Sequence, residues 1–252
     1  MAKRKNKLNS WNLADMAIFA ALTLFGLIIL YPFYNTMLIS VVSQSEYMSR
    51  PFMLWPKEFT LSSYKFVFSS PLIVSGFRTS LIVTVVGTIY SMFFTVTIAY
   101  ALMKDFPGRG IFRGMLLFTM YFSGGLIPTY LLMKTLHLLN TIWVLIIPTG
   151  ATVSYIILLQ RFFEDVPSEL EESAKLDGCT NLKFIVKILL PLTKSSIGAM
   201  AIYTFINAWN MYMWPLLVTG SSNMRTVQIG ISMLDSIDSQ SVTMMIAGVV
   251  MI

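Results

Sequence analysis

A chain of 252 residues that is 56% hydrophobic and only 12% charged carries about half the charge of a soluble domain of its size. Its net charge of +6 would point to nucleic acid in a soluble protein; in so apolar a chain, basic residues report membrane orientation instead. The single cysteine, Cys179, excludes an internal disulfide framework, and no Cys/His group has metal-ligand spacing.

The placement of the charges is more telling than their number. Asp, Glu, Lys, Arg and His are absent from 16–45, 79–103, 114–133, 138–160, 195–224 and 239–252. About 20 apolar residues in a helix cross a hydrocarbon core of about 30 Å. Five of the six stretches reach 20 residues, and the sixth stops at Ile252 after 14. Membrane β-strands would alternate polar and apolar positions, and these runs are continuous, so the spans are helical.

The first span falls near 14–39. Lys3, Arg4, Lys5 and Lys7 before it resemble the start of a signal peptide, but the apolar run is too long and lacks a small-residue cleavage site. It reads as a retained span. The segment 40–78 then holds Pro51, Trp55, Pro56 and Pro71 and reads as a long loop on the outer surface. A second span near 80–103 ends in a tight basic turn from Lys104 to Gly110, with Pro107-Gly108 as its breaker. In the third span, near 112–133, Ser123-Gly124-Gly125 and Pro128 predict a break or kink. Pro148-Thr149-Gly150 predicts another in the fourth, near 141–162. Close helix packing explains these glycines as well as a translocation path does.

Between Arg161 and Lys194 lie six of the twelve acidic residues. Ser168-Glu169-Leu170-Glu171 has capping-box spacing, with Ser168 as N-cap and Glu171 reaching back. Gly178 stands where a left-handed residue would end a helix, so a short helix is expected over 169–177. Leu170, Ser173, Ala174 and Asp177 would share one small, weakly apolar face. That is too acidic for a membrane-surface helix and suits insertion into a groove on a partner. A solvated connecting loop is the plain alternative. A fifth span near 196–218 and a sixth from 240 complete the chain, the sixth reading as cut inside its length. With the N-terminus in the cytoplasm, twelve of the eighteen Lys and Arg fall inside, loop 161–194 among them. The expectation is an all-α polytopic membrane protein of about six transmembrane helices, one membrane domain over 1–252.

The run Glu172-Ser173-Ala174-Lys175-Leu176-Asp177-Gly178-Cys179, followed by Phe184, Ile188, Leu190 and Pro191, resembles the EAA loop of bacterial ABC importer permeases. Phe162 to Pro167 before it, and Trp209 to Leu216 after it, look like the carbohydrate-uptake, maltose-transporter type. Ser173 stands in place of the first Ala of the triplet, Cys179 in place of a usual small Ala, and Lys194 in place of a common Pro. The resemblance implies that the short helix is a coupling helix docking on a cytoplasmic ABC ATPase dimer. Its residues would be Glu172, Ser173, Ala174, Asp177, Gly178, Ile188, Leu190 and Pro191. It further implies a second homologous permease subunit, an extracytoplasmic solute-binding protein, a bacterial cell-membrane location, and no cofactor on this chain, ATP and Mg being held by the ATPase.

Tyr121, Ser123, Thr152, Tyr155, Asn207 and Asn210 are polar enough to line a substrate path, although helix–helix hydrogen bonds explain them equally well. Trp209, Tyr212 and Trp214 could stack on sugars or form an interfacial aromatic belt. There is no phosphate-binding Gly-rich loop, so ATP has no P-loop here, and no nucleophile–base arrangement suggests an intramembrane enzyme. A non-transport membrane scaffold is a third reading, and an ion-gradient-driven secondary transporter is the alternative. It would need ionisable groups deep within spans, where this sequence has none.

Overall fold

A computed structural model describes residues 13–50, 52–237 and 242–252. All regular elements among them are helical. Two compact units emerge: one runs up to Ser70 and resumes over Ile231–Ile252, the other is Pro71–Gly230.

The first unit contains α1 (Leu13–Ser40), α2 (Gln44–Ser49), α3 (Ser62–Ser69) and a last helix over Val242–Met251. Only Leu38, Ile39 and Ser40 of α1 are buried. The rest of this 28-residue helix displays Phe, Leu and Ile side chains along its length. Water would not tolerate so long an apolar surface, and lipid does. The segment between α1 and α3 is tied down rather than loose. Tyr34 donates to the Leu54 carbonyl, Tyr64 to the Ser40 hydroxyl at 2.9 Å, and Thr60 N–H to the Val41 carbonyl at 2.8 Å.

The second unit is organised by α4 (Pro71–Met103), a single helix of 33 residues. It starts nine residues before the expected second span. Arg78 interrupts the charge-free stretch but does not stop a helix, and Pro71 is a favourable first residue. At about 1.5 Å per residue α4 is about 50 Å long, more than the 40–45 Å of bilayer and headgroups together. Between Gly76 and Ala99 its buried residues are all small and mostly Gly, Ser or Thr: Gly76, Thr79, Ser80, Val83, Thr84, Gly87, Ser91, Thr95 and Ala99. Such residues let membrane helices approach closely. At Gly76 an added Cβ would lie 3.1 Å from the Val227 backbone. Beside it, the Ser80 hydroxyl accepts the Val227 N–H at 2.9 Å.

Three bent helix pairs follow α4 in the chain. The helices α5 (Arg109–Tyr121) and α6 (Leu126–Thr135) meet at 114° across Phe122–Gly125, with Gly125 at φ +91°. α7 (Trp143–Ile146) continues through a 3₁₀ turn to Thr149 and meets α8 (Val153–Glu164) at 50°. Both expected breaks are thus present. By length and composition, two helices among the described residues can cross a membrane alone, and up to five spans result if each bent pair is one.

The fifth span differs from expectation. α12 (Lys194–Trp209) ends at Trp209, and α13 (Met213–Val218) begins after a gap, so 196–218 is not continuous. The freed carbonyls have partners: Thr226 donates to Met211 at 3.4 Å and Gln228 to Trp209 at 3.5 Å. A second polar tie closes the same end of the unit. Asn140, at φ +57°, accepts the N–H groups of Gly220 and Ser221 at 3.1 and 2.9 Å and donates to the Ser221 hydroxyl.

Candidate functional site

The loop after α8 folds as α9 (Ser168–Leu176), then α10 (Asn181–Phe184), a π turn over Ile185–Leu189, and α11 (Leu190–Leu192). The short helix predicted over 169–177 is therefore present, one residue earlier. Its expected capping box is not. Pro167 is the N-cap, and Ser168 makes no side-chain cap bond. Glu171 turns inward instead, to the ammonium groups of Lys104, in the turn after α4, and of Lys175 at 2.8 Å. Charge-assisted bonds to two cations outcompete one neutral backbone N–H.

The C-terminus of α9 follows the sequence. Gly178 lies at φ +73°, its N–H reaches the Lys175 carbonyl at 3.0 Å, and the Cys179 N–H reaches Ala174 at 2.9 Å. This is the paired bonding of a Schellman cap. Ala174 is buried in a core with Ala99, Tyr100, Phe163 and Phe184, and half-buried Cys179 packs against it. Glu172, Ser173 and Asp177 face outward. The predicted common face is thus split: Ala174 anchors the helix to its own protein, while Leu170, Ser173 and Asp177 are exposed, as is Glu172 outside that face.

Lys104 is held from three sides. It pairs with Glu171, lies 4.8 Å from the Tyr100 ring centroid, and lies 5.9 Å from that of Phe184. Burial works against the Glu171 charge, but the hydrogen bonds from Lys104 and Lys175 outweigh it and hold its carboxyl below the usual range. The hydrogen bond to Glu171 in turn raises Lys175. A second clasp joins the same two loops. Glu164 receives Gln160 at 2.7 Å, Arg161 at 3.2 Å and Arg109 at 3.4 Å, and Arg109 also pairs with Asp105 at 2.6 Å.

On the far side of the loop, the Leu190 N–H bonds five residues back to Ile185. The π turn accommodates Pro191, which has no N–H and whose ring would crowd a regular turn. Ile188 and Leu190 pack on the core that holds Ala174, while Pro191 is exposed. The chain then bends by 85° between Asn181–Leu192 and α12. The short helix is fixed at both ends.

Of the candidate path residues, three converge. Thr152, Tyr155 and Asn207 line a cavity of about 180 Å³ with Gly87, Pro148 and Thr204, and Asn207 Nδ2 donates to the Tyr155 hydroxyl at 3.3 Å. Gly87 and Thr204 were not expected from sequence; Thr204 sits one turn before Asn207 and could have been found by that spacing. Tyr121 and Ser123 lie outside this lining, exposed at the α5–α6 break. Asn210 donates to Ile206 at 2.9 Å and is also outside it. Trp209 and Trp214 are engaged in packing, while Tyr212 is exposed. The Trp209 ring meets Phe77 edge-on at 5.7 Å and stacks on Phe205 at 6.3 Å, and Trp214 Nε1 donates to Val144 at 2.8 Å.

Residues 24–252 match the family of binding-protein-dependent transport system inner membrane components, and the chain belongs to that family. It is 39% identical over 218 residues (86% of this chain, 76% of the relative) to the polygalacturonan/rhamnogalacturonan transport system permease protein YtcP of Bacillus subtilis. It is 30% identical over 257 residues (100% of this chain, 90% of the relative) to the arabinooligosaccharides transport system permease protein AraQ of Halalkalibacterium halodurans. A bacterial ABC transporter involved in the import of the acidic polysaccharide alginate superposes with a TM-score of 0.89 at 26% identity, over 96% of this chain and 93% of that one. The protein is thus a membrane permease of the ABC-importer class, and the secondary-transporter alternative falls away.

Proposed function

We propose that this chain is one of two permease subunits in an importer of oligosaccharides, driven by ATP hydrolysed on separate subunits. The observation that carries the reading is the outward face of α9. Glu172 and Ser173 are exposed on a short helix held by the Glu171–Lys104 pair, the Ala174 anchor and the Schellman cap. A helix so tethered can transmit a push to α4, α8 and α12. In this reading α9 docks on a cytoplasmic ATPase dimer that binds ATP and Mg, so loop and N-terminus are cytoplasmic. A sister permease completes the pore, and a solute-binding protein delivers substrate from outside. The ATPase conformations act on the permease only through a difference in their contacts with α9. The chain performs alternating access and no covalent chemistry. Oligosaccharide is the substrate class because AraQ is named for arabinooligosaccharides and YtcP for polygalacturonan and rhamnogalacturonan.

The test is a cysteine cross-link. With Cys179 replaced by serine, a Ser173→Cys variant in membranes is expected to cross-link to the ATPase subunit in a nucleotide-dependent way. Glu172→Lys is expected to lower uptake at least tenfold, since a charge-assisted contact contributes about 1.5–3 kcal/mol. Absence of any cross-link from the inserted protein, together with normal uptake by Glu172→Lys, would remove the coupling role.

The same reading gives the Tyr155–Asn207 cavity to the substrate path. Asn207→Ala is expected to raise the half-saturating substrate concentration several-fold without changing ATPase coupling, as loss of about 1 kcal/mol from one hydrogen bond requires. Unchanged uptake kinetics would return these residues to a packing role.

A further inference from the structure

Arg78 is the one charged residue within α4, and it makes no hydrogen bond or ion pair among the described residues. It opens onto a cleft of about 470 Å³. Ser75, Thr79 and Asn223 give this cleft a polar edge around the guanidinium, and Val74, Ile82, Ile142 and Met224 give it apolar walls. The lining is amphipathic: one cation and a few hydrogen-bonding groups beside a hydrocarbon surface.

Depth along α4 fixes what can meet that cation. Arg78 and Lys104 bracket the charge-free stretch 79–103, and 26 residues of helix at about 1.5 Å each separate them by about 39 Å. That is close to the 40–45 Å from one headgroup layer to the other. With Lys104 at one membrane face, Arg78 stands at headgroup level on the opposite face. No acidic side chain of this unit is available there. Every carboxylate between 71 and 230 falls at 105 or within 164–177, around the clasped loops. An unpaired cation at that depth, with apolar walls running into the hydrocarbon, matches a molecule with an anionic head and an acyl tail.

We infer that the Arg78 cleft is a binding site for an anionic phospholipid, its phosphate on the Arg78 guanidinium and one acyl chain along Ile82 and Ile142. Sugar carboxylate fits the cation but not the apolar walls. The cleft also lies on different residues of α4 from Gly87, which lines the Tyr155–Asn207 cavity. The inference needs only the membrane crossing of α4, so it stands or falls separately from the coupling role of α9.

Native mass spectrometry of the full chain in detergent, titrated with phosphatidylglycerol or phosphatidylcholine, tests it. Arg78→Gln is expected to weaken phosphatidylglycerol binding about fivefold, the effect of one cation at an anionic lipid surface, with phosphatidylcholine unaffected. Lys134→Gln removes another exposed basic residue outside the cleft and is expected to bind as the parent does. Equal affinities for parent and Arg78→Gln would overturn the site, as would an equal loss for both lipids. Displacement of phosphatidylglycerol by inorganic phosphate or by a trigalacturonate would reassign the cation to a soluble anion. Loss of the lipid on assembly with a sister permease would reassign the cleft to a subunit contact.

Discussion

Gly178→Val is expected to lower ATP-driven uptake at least tenfold, while Gly178→Asn retains most of it. Space is not the issue, since no atom lies within 4 Å of an added Cβ. The constraint is the backbone: φ is +73°, and the two N–H bonds that close α9 depend on that left-handed turn. An L-residue there costs about 1–2 kcal/mol, and a β-branched one more, whereas Asn visits this region readily. Valine relieves the strain by unwinding the last turn of α9, which releases Ala174 from the core and frees one end of the helix. Uptake in whole cells, normalised to the amount of permease in the membrane, reads the effect. A Val variant that transports normally, or an Asn variant as defective as Val, would show that cap geometry does not govern transport.

Much of this architecture was legible because lipid enforces it locally. Charge-free stretches locate spans, and the Gly and Pro residues at 124, 125, 128, 148 and 150 break helices by their own chemistry wherever they stand. The start of α4 was misplaced because Arg78 was read as a boundary, although a charge at headgroup depth leaves helical bonding intact. The gap at Asn210–Tyr212 had a local signal that went unread: Pro215 has no N–H for the Met211 carbonyl four residues back, and its ring crowds it. What stabilises it is distant: Thr226 and Gln228 take the Met211 and Trp209 carbonyls. The segment alone marks the break, and only the fold shows which groups satisfy the carbonyls it frees.

The functional loop divides along the same line. Gly178 predicted its own conformation, since a left-handed cap is a property of the residue. Glu171 was misread because the capping box is a local pattern and its true partner, Lys104, is on another loop. The EAA-like run gave the address of the loop but not the orientation of its residues. Only the fold distinguishes Ala174, which is covered by its own core, from Glu172 and Ser173, which are not. Likewise, of six candidate path residues, the three on α12 and around the α7–α8 break meet in one cavity, and sequence could not select them.

Lys104→Glu is expected to be the most damaging single change outside α9, and Lys104→Glu combined with Glu171→Lys is expected to recover part of the loss. The pair ties the end of α4 to α9, and its side chains are 29% and 13% exposed. That places it between a surface ion pair, worth at most about 1 kcal/mol, and a buried one whose breaking costs about 3–5. About 2 kcal/mol is a reasonable middle value, enough to reduce a coupled conformational step roughly thirtyfold. Glutamate at 104 also sets two carboxylates against each other beside Tyr100 and Phe184. Because the Glu171 carboxyl is lowered, its contribution is complete above the ordinary carboxylate range and is lost only as pH falls through the lowered value. Lys175, being raised, contributes fully below the ordinary lysine value and loses its contribution only as pH rises through the raised one. Coupling through this clasp should therefore be insensitive to pH between about 5 and 9. Reconstituted importer in proteoliposomes separates the readings by measuring uptake and ATP hydrolysis together. If the clasp transmits motion, the single variant hydrolyses ATP with little transport, and the charge swap restores the ratio. A swap no better than the single variant would assign Lys104 to packing on Tyr100 and Phe184 alone.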